Sequence, residues 1–390
     1  MKPRHFVLAP LLLPTLRPAE ALTLPEAQRY DSGFQVYQED GERMHIESFY
    51  FKGLIDINAD TSLRFQYLHD AISGSSPTGA LHNQTELPFL SPMHDIRQGI
   101  LGALARQFGD HRVEVEVSQS KETDYLSRGL ALSDTWDLNQ KNTTLAFGIN
   151  YLSDEVTVRG IAPQDKHSID FFTGLTQILD KNTVVSANLT LGYNYGYLND
   201  PYKGIQRTDV IIFDDGSMSN PFLNLYAENR PDHRFREVLQ LQGTHFFEPC
   251  NAALDAVYRI SNDDFGVFSQ SIQLEWRQAI GEKFEVTPYF RYYRQTAADF
   301  FRNTLDGFIP ITVSPPDHPN GSSPNYAADY RLSALDSLSL GLRLTYQFCD
   351  NFSASVSYER YQMHGVGSNA APSAAYPSAD IWSCCAYVKF

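Results

Sequence analysis

The chain has 390 residues, room for one large domain or two ordinary ones, and a formal net charge of −15. It contains no run of 18 apolar residues and its mean hydropathy is −0.33, which excludes membrane-spanning helices. The acidic balance argues against a nucleic-acid partner.

Residues 1–4 are basic, and 6–13 form an apolar run broken by Pro10. Ala19-Glu20-Ala21 then fits the small-x-small cleavage pattern, so 1–21 reads as a secretory signal peptide and the mature chain as starting at Leu22. Loss of Lys2, Arg4, Arg17 and Glu20 would move the net charge from −15 to −17. No cysteine lies near the cleavage site to carry a lipid anchor.

From there the chain alternates. Val113, Val115 and Val117 oppose Glu114 and Glu116; Leu145, Phe147, Ile149 and Tyr151 repeat the pattern, as do Val185, Ala187, Leu189, Leu191 and Tyr193. Phe268, Ile272, Leu274 and Trp276 alternate with Ser269, Ser271, Gln273, Glu275 and Arg277. The cleanest case sets Leu338, Leu340, Leu342, Leu344, Tyr346 and Phe348 against Ser337, Ser339, Gly341, Arg343, Thr345 and Gln347. A β-strand has a side-chain period of 2, so each segment has one apolar and one polar face.

Sixteen strands are expected, at 33–40, 43–55, 60–71, 95–109, 111–121, 124–138, 142–153, 166–180, 182–198, 232–248, 250–262, 264–281, 283–300, 333–349, 351–364 and 378–390. Tight Asn-, Asp-, Gly- and Lys-rich turns alternate with long connections at 72–94, 153–165, 199–231, 301–332 and 365–377. That asymmetry is the mark of a transmembrane, antiparallel, up-and-down β-barrel with its short turns in the periplasm, and an even count puts both termini there. Fourteen or eighteen strands remain open. The many aromatic residues, 22 tyrosines and 25 phenylalanines, would supply its girdles. Ile96, Ile100, Leu104 and Phe108 also fit a helical step, but the stretch alternates well enough to be kept as a strand. Pro288, inside a strand pattern, suggests a bulge.

The last strand places Trp382, Cys384, Ala386, Val388 and Phe390 on one face. A terminal Phe with apolar residues at alternate positions before it resembles the assembly signal of bacterial outer-membrane barrels.

Two further stretches carry a resemblance. One is His69-Asp70-Ala71-Ile72-Ser73-Gly74-Ser75-Ser76-Pro77-Thr78-Gly79. The other is Ser120-Lys121-Glu122-Thr123-Asp124-Tyr125-Leu126-Ser127-Arg128-Gly129, followed by Leu138-Asn139-Gln140-Lys141-Asn142-Thr143-Thr144. Both resemble an uncharacterised family of bacterial proteins, a domain-of-unknown-function family predicted to be exported outer-membrane barrels. The resemblance covers most of the mature chain and implies fold and location. It brings no catalytic residues and no substrate.

Residue patterns that carry chemistry are weak. The stretch 73–79 has the composition of a phosphate loop but lacks the Lys-Ser/Thr ending and a following helix, so a turn at the strand's outer end is expected. Asp264-Phe265-Gly266 reads as a turn, and Asp214-Asp215-Gly216 with Asp209 as a solvated acidic loop rather than a Ca²⁺ site. Cys250, Cys349, Cys384 and Cys385 match no zinc spacing and read as small structural residues. His245, placed beside inward Ser or Thr, is the one handle for a hydrolase assembled from separate strands.

Inward positions carry Asp70, Glu114, Glu116, Asp255, Glu275 and Glu285 against Arg64, Arg259, Arg277, Arg291 and Arg343, a nearly balanced lumen. Loop 199–231 adds a small acidic excess, from which a mild cation preference at low salt is expected. The reading that follows is a porin-like channel or passive transporter for small solutes, without cofactor or metal. Its partners would be outer-membrane lipid and the barrel-assembly machinery. The alternatives are an outer-membrane enzyme with a lumen or rim site, and a docking barrel whose long loops bind a partner.

Overall fold

The structure, a computed structural model, describes residues 28–81, 88–158, 160–305, 309–311 and 324–390. The expected signal peptide at 1–21 lies outside them. Among these described residues are nineteen strands: β1 (Gln28–Glu39), β2 (Met44–Asn58), β3 (Thr61–Leu81), β4 (Pro88–Phe108), β5 (His111–Lys121), β6 (Tyr125–Leu138), β7 (Thr143–Val156), β8 (Gln164–Asp180), β9 (Thr183–Gly196), β10 (Gly204–Ile211), β11 (Phe222–Ala227), β12 (His233–Phe247), β13 (Ala252–Asp263), β14 (Phe268–Ile280), β15 (Phe284–Gln295), β16 (Ile309–Ile311), β17 (Leu335–Cys349), β18 (Phe352–Gly365) and β19 (Ser378–Lys389).

Sixteen of them close one antiparallel, up-and-down β-barrel, each pairing with its predecessor in the barrel and β19 pairing with β1. These are the sixteen expected from the alternation, and 96–108 is strand. The other three, β10, β11 and β16, form a small separate sheet in which β10 pairs antiparallel with β11 and parallel with β16.

The details depart from expectation in three places. β3 and β4 run well past the expected 71 and 95, so 73–79 is strand rather than a turn. Its glycines permit close approach: Gly74 and Gly79 have φ of +112° and +101°, and a Cβ would collide with the Arg43 backbone at Gly74 and with the Gly204 and Ala328 backbone at Gly79, where the ladder to β4 is irregular. Pro288 makes no bulge. Register holds through it on both sides, and it stands opposite Leu342. Lacking an N–H, it drops a ladder bond without changing the residue count. The expected strand at 283–300 stops at Gln295, because 296–305 leaves the wall for the loops.

The wall has two unlike faces. Leu340, Leu342, Leu344, Tyr346 and Phe348 are exposed on the outside, as are Ile96, Ile100, Leu104, Val115, Val117, Ile149 and Leu241. Aromatic side chains ring the short-turn end: Tyr30 stacks on Phe51, Phe51 meets Phe65, Tyr30 meets Phe390, and Phe284, Tyr346, Phe348 and Phe352 form a run. Toward the long-loop end stand Tyr151, His167 and Tyr195, and the pair Tyr358 and Trp382. An exposed apolar band between two aromatic rings is the surface a bilayer solvates. The opposite face of the same strands is polar.

The apolar core sits not inside the cylinder but in the loops at one mouth. Phe265, Val267, Phe300, Phe301, Leu332, Leu335 and Tyr376 are buried together, backed by Tyr293 and Met363 of the inner wall. On the other side of the mouth, Tyr202 packs against Met44, Ile72 and Met93. The long loops therefore fold into the mouth and brace opposite walls.

Candidate functional site, a charged lumen under a loop cap

Each expected inward charge lies on the polar face, and most are tied to neighbours. Arg64 on β3 binds Glu114 and, at 2.7 Å, Glu116, both on β5. It reaches them across β4 because the residue between, opposite both Arg64 and Glu116, is the small, buried Ala103. Asp70 pairs with Arg97, its direct cross-strand partner on β4. Glu275 is 3.1 Å from Arg343 and 4.0 Å from Arg277. Asp255 accepts from Gln242 at 2.9 Å and Thr244 at 2.7 Å, and Glu285 accepts from Thr287 at 3.1 Å. Arg259 donates to the neutral Gln240. Arg291 sits two strands on and joins no carboxylate among the described residues. Several wall charges were missed, among them Arg97, Lys166, Arg234 and Arg236; the same alternation that places Arg259 would have found them.

His245 lies on the outer face, in step with the exposed Leu239 and Leu241, and contacts Thr183 at 2.9 Å. It does not meet the inward serines and threonines, so the hydrolase handle fails. The cysteines form no disulfide among the described residues; Cys250, Cys349 and Cys384 are exposed, and Cys385 meets the Tyr50 hydroxyl at 3.2 Å.

The cap is built around Asp329, which is 1% exposed. It accepts from Arg230 at 2.8 Å and from Arg331, whose Nε lies 2.9 Å from each carboxylate oxygen, with Lys203 4.0 Å away. Arg331 also reaches Asp200 at 2.7 Å, and Arg230 reaches Glu228 at 2.8 Å. Lys203 donates to the Pro77 carbonyl of β3, and Tyr202 to Asp124 between β5 and β6, which ties the network to the wall. Burial alone would raise the Asp329 carboxyl, but Arg331, Lys203 and Arg230 outweigh it and hold it well below the usual carboxylate range. Burial pushes Glu228 up to about 7 against the pull of Arg230, and pushes Lys203 down to about 8 against the pull of Asp329. A second buried pair, Arg207 and Asp209, shares the Tyr226 hydroxyl.

This arrangement undoes the argument for a cation-attracting mouth. Asp200, Asp209 and Glu228 are buried and paired rather than exposed, which leaves Asp214 and Asp215 of that loop in solvent. Asp209 is also held away from Asp215, which turns to Ser217 at 2.9 Å, so these acids do not converge on a cation. Carboxylates do come together at Asp95, Glu122 and Asp124, within 4.8 Å of one another. There Asp95 already accepts from the Thr123 backbone and hydroxyl, and Asp124 from Tyr202.

A family model described as protein of unknown function (DUF3570) matches residues 5–164 and 157–375. No curated protein matches the sequence. Among solved structures, CdiB from Acinetobacter baumannii aligns at 8% identity over 93% of this chain and 60% of its own, with a TM-score of 0.50. The siderophore receptor PirA from Pseudomonas aeruginosa aligns at 14% identity over 92% of this chain and 61% of its own, with a TM-score of 0.46. A loop-deletion mutant of OmpT, an outer membrane protein of Vibrio cholerae, aligns at 7% identity over 93% and 98%, with a TM-score of 0.42. The chain thus spans about 61% of the receptor's length. The likeness is one of fold, a closed barrel of the kind found in bacterial outer-membrane proteins.

Proposed function

The chain belongs to the family described as protein of unknown function (DUF3570), and from that premise we propose that it is a porin-like outer-membrane channel for small solutes, closed at one mouth by its own loops. One observation carries the reading: the same sixteen strands present an apolar, aromatic-bordered face outward and a polar, charged face inward. In water the outer face would be a large exposed apolar surface; in a bilayer it is solvated. Strand lengths, from 11 residues in β5 to 21 in β3 and β4, suffice to cross at a tilt. A cylinder of sixteen strands is wide enough for an aqueous passage where loops do not fill it.

In this reading residues 1–21 direct export, the short turns and both termini face the periplasm, and the Asp329-centred cap faces outward. Trp382, Cys384, Ala386, Val388 and Phe390 form the stripe that the assembly machinery engages. The cap sets the resting state as closed. A planar bilayer containing the purified protein tests this: discrete conductance steps are expected, more frequent when the cap is weakened by Asp329→Asn. Silence from both proteins would defeat the channel reading and favour a docking or enzymatic barrel.

A further inference from the structure

Three arginines on one stretch of the inner wall have no carboxylate partner among the described residues. Arg236 is on β12, Arg259 on β13 and Arg291 on β15. The register places Arg259 between the other two: it lies opposite Gln240, four residues from Arg236 in one direction along the wall, and next to Ser271 of β14, whose partner on β15 is Tyr293, two residues from Arg291 in the other. The charges that bear most on Arg259 are those of Arg291 and then Arg236. Several other wall cations are neutralised: Arg64 by Glu114 and Glu116, Arg97 by Asp70, Lys166 by Asp154 at 3.3 Å, Arg234 by Asp263 and Arg343 by Glu275; Arg112 instead donates to the Ser62 hydroxyl and Lys52 lies over the Tyr50 ring. Among the described residues no carboxylate oxygen comes within 4.0 Å of the guanidinium nitrogens of Arg236, Arg259 or Arg291.

The acids that act on Arg236 from a distance are engaged elsewhere. Asp263 holds Arg234, and Asp170 accepts from Asn150 at 3.2 Å. Around the arginines are phenolic hydroxyls: Tyr289, two residues from Arg291 on the same face of β15, and Tyr293 and Tyr361, both near the Arg291 charge. All three arginines are half-buried, so they remain open to the lumen.

Like charges facing one another in a confined, partly dry space repel unless a counter-charge joins them. Guanidinium groups are planar forks that bind two oxygens of one anion at once, and phenolic hydroxyls complete such a shell as donors. We propose that Arg259 and Arg291, with Arg236 farther along the same wall, form an anion-binding site suited to a small oxyanion or to a solute carrying a phosphate, sulfate or carboxylate group. The site rests on the reading of this face as a solute-accessible lumen and specifies that reading: the solutes held on passage are anionic.

The test is calorimetric, with folded protein in detergent titrated with inorganic phosphate and, separately, sulfate, in chloride buffer of matched ionic strength. Wild type binds both; the double variant Arg259→Gln/Arg291→Gln binds at least tenfold more weakly, while Arg343→Gln, an arginine held by Glu275, binds like wild type. Heat-modifiable migration in electrophoresis verifies that each variant is folded. Should the double variant not fold, wild type alone decides, because phosphate must raise its thermal transition above that in potassium chloride of equal ionic strength. No heat and no shift in wild type, or equal affinity in the folded double variant, would overturn the site. Binding does not require conductance, so a silent bilayer with intact phosphate binding would count against the channel and leave the site standing.

Discussion

Gln28 and Phe390 exchange two backbone hydrogen bonds, Gln28 N to Phe390 O at 3.1 Å and Phe390 N to Gln28 O at 2.8 Å. This is the closely bonded pair of an antiparallel ladder, formed between the first described residue of β1 and the residue that follows β19. It ends the seam that turns a sheet into a cylinder, and a cylinder has no edge left to aggregate. Phe390 also packs edge-on against Tyr30. Deleting Phe390 removes both bonds and the ring contact. The deletion is expected to leave the protein in the periplasm, whereas Phe390→Trp, which keeps the bonds and the aromatic, assembles. Fractionation with heat-modifiability reads this, and normal membrane assembly of the deletion would defeat it.

Leu342 is mid-strand in β17 and 46% exposed on the apolar face. Leu342→Arg is expected to cost about 2–4 kcal/mol, the penalty for a cation near the bilayer midplane. Ser339, of opposite parity, is a poor control, because it is buried directly opposite Arg291 and a second arginine there would meet a like charge. Ser383 serves better: it is mid-strand in β19, faces inward and lies between Gln35 and Ser357. Ser383→Arg should cost much less than Leu342→Arg in reversible unfolding from lipid. Equal costs would mean that the two faces are assigned the wrong way round.

Asp329→Asn leaves Arg230, Arg331 and Lys203 facing one another without their shared counter-charge. Breaking one side of a buried ion network costs about 3–5 kcal/mol, here borne by the cap and not by the wall, which has its own ladder. Limited proteolysis should therefore cut within 296–305 or 324–334 in the variant under conditions where wild type resists, while the barrel still migrates as folded. Loss of heat-modifiable migration would show that the network supports the barrel itself.

The wall was legible in the sequence because each strand declares itself locally: Leu338 to Phe348 alternate whatever they pair with, and the turns between strands use their own residue chemistry. The cap was not legible. β10 pairs Asp209 with Ile309 across a separation no periodicity spans, and both strands are too short to alternate convincingly. Partner choice was equally hidden: Arg64 meets Glu116 only because Ala103 is small, and the acids of 199–231 look solvated until Arg207 and Arg230 of the same loop fold onto them and Arg331 arrives from another. Charge counts read along the chain place residues on a face; they do not say which charges are already spoken for.

The cap's strength should depend on pH through Glu228 and Lys203. Glu228, with Arg230, Asp329 and Asp200 around it, is raised from 4.5 to about 7. A carboxyl raised in the closed cap holds its proton more tightly there than in water, so its contribution to closure is full below about 4.5 and is lost as pH rises through about 7. Lys203, facing Asp329, Arg331, Asp200 and Glu228, is lowered from 10.5 to about 8. Its contribution is present above about 10.5 and is lost as pH falls through about 8. Between the two midpoints both groups are charged and buried, and the cap is at its weakest. Asp329, held well below the usual range, keeps its charge throughout and does not blunt either limb. Acidification from pH 7.5 to 5 is therefore expected to close the channel progressively, read as falling open probability in a planar bilayer. Glu228→Gln, neutral at every pH, should flatten that response without unfolding the barrel. Open probability that rises on acidification in wild type, or an unchanged slope in Glu228→Gln, would rule out this residue as the origin of the pH response.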